Sequence, residues 1–157
     1  MEQGIDLLNE IKTGFDLSGS DPGQYSPLSL AFIGDSIYGA IAKTVVVLEG
    51  NAPANTLDQR AVKYVKAVSQ SKAVDHLIEN DLLSEEELSI YRRGRNAKSP
   101  TSAKNAPVGD YRKATGLEAV IGYLYLKGDM RRVIEIMEIA IEVVKNVKKC
   151  VKRDGSF

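Results

Sequence analysis

The sequence predicts an all-α, single-domain protein of six or seven helices. Three observations carry that expectation. Apolar residues recur at three- and four-residue intervals along most of the chain, the spacing of one helix face. The segments so defined are bounded by helix-cap residues, by proline at helix starts and by glycine at helix ends. No segment alternates apolar and polar residues between turn signals, as a half-buried strand would. The 157 residues suit one domain and can bury a core without disulfides or a structural metal.

The first element runs over residues 1–16, with Ile5, Leu8, Ile11 and Phe15 at helical spacing. Residues 17–25 are rich in Gly, Ser, Asp and Pro and read as a loop. Ser26-Pro27 then gives an N-cap followed by proline at the first helical position, opening a helix to about Leu48 that ends at Gly50. A helix is expected from Thr56 to about Asn80, broken near Ser69, with Leu57, Ala61, Tyr64, Val65, Val68 and Ala73 on its apolar side. Ser84 and Glu87 have the spacing of a capping box and open a helix over 85–93. Residues 94–108, with Pro100 and Pro107, read as a long loop. Asp110 is expected to cap a helix that stops at Gly128. Asp129 is expected to cap the last helix, Met130 to about Val151, with Val133, Ile136, Met137, Ala140, Ile141 and Val144 as its apolar stripe. Residues 1–24 thus form an N-terminal helix and loop, 25–151 the main domain and 152–157 a short tail.

Composition narrows the function classes. Hydrophobic residues at 43% and charged residues at 27% are ordinary for a soluble globular protein. No run of eighteen apolar residues occurs, so no membrane span is expected. The first fifteen residues lack the basic flank and apolar centre of a signal peptide. The single Cys150 allows neither an internal disulfide nor a cysteine metal cluster, and a reducing, cytoplasmic setting is the default. His76, the one histidine, cannot build a histidine-rich site and is expected on the surface. Tyr38, Tyr64, Tyr123 and Tyr125 are expected in the core or an interface. No glycine-rich phosphate loop and no nucleophilic triad is present.

Two acids stand out because of their surroundings. Asp35 lies within Leu30-Ala31-Phe32-Ile33-Gly34-Asp35-Ser36-Ile37-Tyr38, and Glu118 within Leu117-Glu118-Ala119-Val120-Ile121-Gly122. Helices apolar nearly all round are buried helices. A carboxylate there must protonate, pair or bind a cation. Gly39 and Gly122 each follow an acid by four residues, on the same helix face, where they would thin the helix for a close approach. On pattern alone two readings stay open: a site for a hard divalent cation such as magnesium, or acids paired in the core or at an interface.

Net charge is zero, so any affinity for a polyanion must come from local segregation. From Arg92 to Lys113 there are seven Lys or Arg against one acid, whereas Glu79 to Glu87 holds five acids and no base. Arg92, Arg93, Arg95, Asn96, Lys98, Ser99, Lys104 and Asn105 form a polar, basic stretch leading to the helix of Glu118. Such a stretch offers phosphate and sugar contacts. A solvated helix end accounts for Arg92 and Arg93 but not for the run beyond Gly94.

The helix around Ile33-Gly34-Asp35 resembles the signature helix of the ribonuclease III domain, and Leu117 to Leu126 resembles that domain's second acidic helix. Arg92-Arg93-Gly94-Arg95-Asn96-Ala97-Lys98 and Tyr111-Arg112 are similar to the bacterial Mini-ribonuclease III subfamily. The resemblance spans about 25–144. It implies a homodimeric, magnesium-dependent endonuclease for double-stranded RNA, active in maturing both ends of the large-subunit (23S) ribosomal RNA precursor. A ribosomal protein would present the substrate in place of a separate RNA-binding domain. On matching positions Asp35 and Glu118 become catalytic metal ligands, and Arg112 joins the RNA-binding set. The full-length family carries further acids where this chain has Ala31 and Thr115, which leaves Thr115 as a polar neighbour of the metal site. Those departures fit the Mini subfamily and also open an alternative: an inactive RNA-binding or assembly protein of the same fold.

Overall fold

The computed structural model describes residues 6–98 and 107–154, with side chains as far as residue 146. Among the described residues there are seven α-helices, one short 3-10 turn (Pro22–Gln24) and no strand. They are α1 (Leu7–Gly14), α2 (Pro27–Glu49), α3 (Ala54–Val65), α4 (Ala67–Glu79), α5 (Glu85–Asn96), α6 (Val108–Lys127) and α7 (Met130–Asp154).

Several ends follow from local chemistry as read in the sequence. The Ser26 hydroxyl accepts from the Ser29 amide, with Pro27 at the first helical position of α2. Ser84 and Glu87 form both bonds of the capping box of α5. Gly128 ends α6 in the left-handed region, φ 85°, where a side chain would be strained. The Asp129 side chain accepts from the Arg132 amide at the start of α7.

Four of the boundaries that differ do so for a clear physical reason. α1 starts late, because the Asp6 carboxylate accepts from the Leu8 amide and caps it there. The helix expected over 56–80 breaks at Lys66, not Ser69. Lys66 is extended, and the Ser69 hydroxyl donates back to the Lys63 carbonyl at the end of α3. α5 continues to Asn96, because Gly94 is buried against α6 rather than turning out into a loop. α6 begins at Val108 behind Pro107, and Asp110 does not cap it; its carboxylate accepts from the Ser71 hydroxyl across to α4 at 2.7 Å.

α6 is the axis of the fold and packs against α2, α4, α5 and α7. Leu117, Val120 and Ile121 on α6 are wholly buried with Leu30 on α2, Leu77 on α4 and Ile136 on α7. Each large apolar side chain so buried contributes roughly 1.5–3 kcal/mol. Tyr38, Tyr91, Tyr123 and Tyr125 are buried and Tyr64 is half-buried, whereas His76 is exposed. By length and composition α2 could cross a membrane. In this fold one side of it, from Leu30 to Val46, is core. α2 is not buried all round, however: Phe32 is 80% exposed and Leu48 81%. One chain of this size covers only one side of it.

The tightest contact in the fold joins α2 to α6. A Cβ on Gly34 would lie 1.7 Å from the Glu118 carbonyl oxygen, and one on Gly122 would lie 1.9 Å from that of Leu30. Gly39, expected to serve such an approach, has nothing within 4 Å of the place its Cβ would take. Gly34→Ala or Gly122→Ala must therefore force the helices apart, at about 2–3 kcal/mol or more. Thermal melting should show a fall of roughly 5–10 °C for either variant. Gly39→Ala should stay within about 1 kcal/mol of the wild type.

Candidate active site

The α2–α6 contact builds the site. Gly34 lies against the backbone of Glu118, so Asp35, the next residue on α2, is brought beside the Glu118 side chain. The two carboxylates open into one cleft of about 500 Å³, lined also by Leu28, Ala31, Phe32, Ser36, Tyr111 and Thr115. The acids are not equally placed. Asp35 is exposed, against the expectation that both are buried, while Glu118 is largely covered.

That difference sets the electrostatics. Burial pushes the Glu118 carboxyl up to about 8, with the adjacent Asp35 charge and a hydrogen bond between the two acids adding to it. One neighbour acts the other way. The side-chain amide of Gln70, on α4, favours its ionised form. Burial, helped by the Glu118 charge, also pushes the Tyr38 hydroxyl well up. Without a cation Glu118 therefore keeps its proton near neutral pH.

The donor set fits a hard divalent cation. It offers carboxylate oxygens, and among the described residues no Lys or Arg pairs with either acid. Nor is any cluster of three or more His, Cys, Asp or Glu gathered among them. Two carboxylates alone leave most of a magnesium ion's six positions to water or phosphate oxygens. Ala31 and Thr115 line the same cleft, and the Thr115 hydroxyl is engaged with the Tyr111 carbonyl at 3.0 Å.

The basic residues stand apart from this cleft. The Arg93 guanidinium donates to the Gly23 and Tyr25 carbonyls, both at 3.3 Å, and so braces the segment leading into α2. Arg95 lies over the Tyr91 ring at 5.6 Å, and its Nε donates to Asn96 Oδ1. Arg92, Lys98 and Arg112 are exposed. None of these five, nor Asn96, lines the cleft. Ser99, Lys104 and Asn105 lie outside the described residues.

Sequence reasoning missed Gln70. It is 1% exposed at the head of a stripe completed by Ala73, Val74 and Leu77, all wholly buried. A lone amide at the i position of an i, i+3, i+4, i+7 apolar stripe is the signal that marks it.

The ribonuclease III domain matches residues 28–129, which hold both acids and the helices between them. The chain belongs to the ribonuclease III domain family. It is similar to the Mini-ribonuclease 3 of Thermoanaerobacter sp. (strain X514), 49% identical over 120 residues, covering 76% of this chain and 83% of the relative. To the Mini-ribonuclease 3 of Staphylococcus aureus it is 41% identical over 119 residues, covering 76% and 89%. An X-ray crystal structure of a Fusobacterium nucleatum protein superposes with a TM-score of 0.70 at 32% identity, covering 79% of this chain and 98% of that one. Membership in the ribonuclease III domain family, within its Mini-ribonuclease 3 branch, makes the chain an endoribonuclease.

The raised Glu118 carboxyl has a signed effect on stability. In the unfolded chain it ionises near 4.5, in the metal-free fold near 8. Between those values the native state holds the extra proton, so this group's contribution is complete below about pH 4.5 and is lost as pH rises through about 8. Melting scans in chelator should fall from pH 5 to 8.5. Glu118→Gln should flatten that fall and melt several degrees above the wild type at pH 8.5. A variant curve parallel to the wild type would show that Glu118 is not the titrating group.

Proposed function

We propose that this endoribonuclease cuts double-stranded RNA, using magnesium held by Asp35 and Glu118, and matures the ends of the large-subunit (23S) ribosomal RNA precursor. The observation that carries the metal reading is the largely buried Glu118 carboxyl beside Asp35, in an open cleft, relieved by no positive side chain among the described residues. When bound there, magnesium supplies a water of lowered pKa and neutralises charge on the scissile phosphate. The chain's own residues do the rest. Asp35, at the solvent side, and Glu118, at the covered side, fix one edge of the cleft with negative charge. Leu28, Ala31 and Phe32 give it an apolar wall. Arg92, Arg95, Asn96, Lys98 and Arg112, with Ser99, Lys104 and Asn105, hold the flanking phosphates, since A-form RNA is recognised by backbone and shape.

The active form is proposed as a homodimer. Phe32, Val47 and Leu48 expose a large apolar surface on α2, and Phe32 also borders the cleft. A two-fold axis would set two sites against the two strands of one duplex. A ribosomal protein presenting the substrate is part of the same reading, as is a cytoplasmic setting.

Asp35→Asn and Glu118→Gln should each slow cleavage of labelled duplex RNA in magnesium by more than about 100-fold. Both should leave folding and RNA affinity near wild type, because each keeps shape and removes charge. Near-normal cutting by either variant would refute the assignment. Retention of both binding and cutting in the two variants would point to chemistry elsewhere, and duplex binding by the wild type without cutting to an inactive assembly protein.

The basic residues have their own test. Replacing Arg92, Arg95 and Lys98 by alanine should weaken duplex binding and flatten its salt dependence, by about 0.9 in log–log slope for each phosphate no longer neutralised. Arg93→Ala should lower the melting temperature, through its two carbonyl bonds, and move the salt slope little. Filter binding across a series of salt concentrations reads both; an unchanged slope in the triple variant removes these residues from RNA binding.

A further inference from the structure

The cleft that holds Asp35 and Glu118 is lined by two carboxylates, three apolar side chains and three hydroxyls, and by no Lys or Arg. A phosphodiester entering it brings a further negative charge. On the reading proposed above, a divalent cation meets part of that charge. The phosphate oxygens turned away from the cation still need donors, and among the lining side chains only the hydroxyls can supply them.

The three hydroxyls differ in what they are free to do. Thr115 donates to the Tyr111 carbonyl, one turn back, at 3.0 Å. Ser36 follows Asp35 on the exposed side of α2, and its side chain is short. Tyr111 is half-buried and reaches furthest from its backbone. The Tyr123 hydroxyl donates to Glu86, and that of Tyr25 accepts from the Ser20 amide at 3.0 Å. The Tyr111 hydroxyl has no such partner among the described residues.

Tyr111 is also a tyrosine that the core does not use. Of seven tyrosines, Tyr38, Tyr91, Tyr123 and Tyr125 are buried in the core and Tyr25 and Tyr64 pack against it; Tyr111 does neither. Its place follows from the helix register. Leu30 meets Gly122 and Gly34 meets Glu118, so α2 and α6 run antiparallel. Tyr111, Thr115 and Glu118 are spaced i, i+4, i+7 and share one face of α6. Tyr111 thus stands two turns before Glu118 in the same cleft.

We propose that Tyr111 is a substrate-contacting residue whose hydroxyl donates to a non-bridging oxygen of the phosphodiester held at Asp35 and Glu118. The inference rests on the reading of this cleft as the place where duplex RNA is cut. Its logic is charge. An O–H gives an anionic oxygen a strong, short bond while staying neutral itself. A lysine at this place would pair with the two carboxylates and compete with a dication for them.

The test measures single-turnover cleavage of labelled duplex RNA in magnesium at saturating protein. Tyr111→Phe removes the hydroxyl and keeps the ring. It should slow cleavage by about tenfold or more, the loss expected of one hydrogen bond to a charged oxygen. Its melting temperature should equal that of the wild type, because no described residue loses a partner. RNA with a phosphorothioate at the mapped cut, prepared as each diastereomer, ties the loss to the phosphate. Sulfur is a weak acceptor, so one diastereomer should slow the wild type yet leave Tyr111→Phe no slower than on unmodified RNA. Binding gives a second readout. In Asp35→Asn protein carrying 3-fluorotyrosine, the fluorine resonance that Tyr111→Phe lacks should shift when duplex RNA is added. An unmoved resonance, or losses that multiply for both diastereomers, overturns the inference. So does wild-type cutting by Tyr111→Phe; a slow Tyr111→Leu would then show that the ring, not the hydroxyl, meets the RNA. Each of these leaves the reading of the cleft intact as long as Asp35→Asn fails to cut. If Asp35→Asn cuts as the wild type does, that reading and the inference fall together.

Discussion

The backbone contact between α2 and α6 is the constraint on which the molecule depends. Two carbonyl oxygens, of Leu30 and Glu118, each occupy the space where a side chain of the opposite helix would start, at Gly122 and Gly34. Helices normally pack 8–10 Å apart with side chains between them. Here glycine removes that spacer at two places, at a cost of up to about 1 kcal/mol each in helix propensity. What the closeness achieves is local. Gly34 and Asp35 are consecutive, and Glu118 supplies the opposing carbonyl, so the approach that buries the helices also sets the two acids side by side. The neighbouring contact obeys the same rule. A Cβ on Gly94 or Gly116 would strike the α5–α6 seam, at 2.9 Å from the Ala119 Cβ and 2.6 Å from the Tyr91 ring. Small residues thus draw α2 and α5 onto α6 from two sides.

Much of this is legible in the sequence alone. Caps and stops at Ser26, Ser84, Gly128 and Asp129 depend on interactions within one turn of the chain, which is the range over which a sequence speaks for itself. The two acids are legible because a charge within an apolar helix is costly without a partner. The features that are not legible depend on distant residues. Gly94 reads as a helix end until α6 is seen to need it inside α5. Asp110 has the spacing of a cap, yet Ser71 on α4 takes its carboxylate instead. Gly39 and Gly122 share the same offset from an acid, but only Gly122 faces a helix, because the partner decides which face matters. Asp35 is exposed for the same reason: an apolar helix guarantees burial only if neighbours cover every side, and α2 is covered on one.

Counting charges along the chain also overstates what is free to meet a polyanion. Of the seven Lys and Arg from Arg92 to Lys113, Arg93 is committed to two backbone carbonyls and Lys113 to Asp75 at 2.8 Å. Elsewhere Arg132, Lys127 and Lys145 are tied to Glu87, Glu86 and Glu49. Arg92, Lys98 and Arg112 are exposed. With net charge zero, such binding must be concentrated where the backbone allows a basic run to stay unpaired.

The contents of the cleft set a balance between metal-free stability and the grip on a cation. Ala31 and Thr115 sit in the cleft where the wider ribonuclease III domain resemblance places two further acids. In this setting the Glu118 carboxyl is already raised to about 8. Four carboxylates would multiply the repulsion in a space that burial has made poorly solvated, and the metal-free fold would bear that cost. The Thr115 hydroxyl, engaged with the Tyr111 carbonyl, adds no charge and little donor capacity. On the two-carboxylate reading, a cation keeps a mostly aqueous shell and the protein's hold on it is correspondingly light.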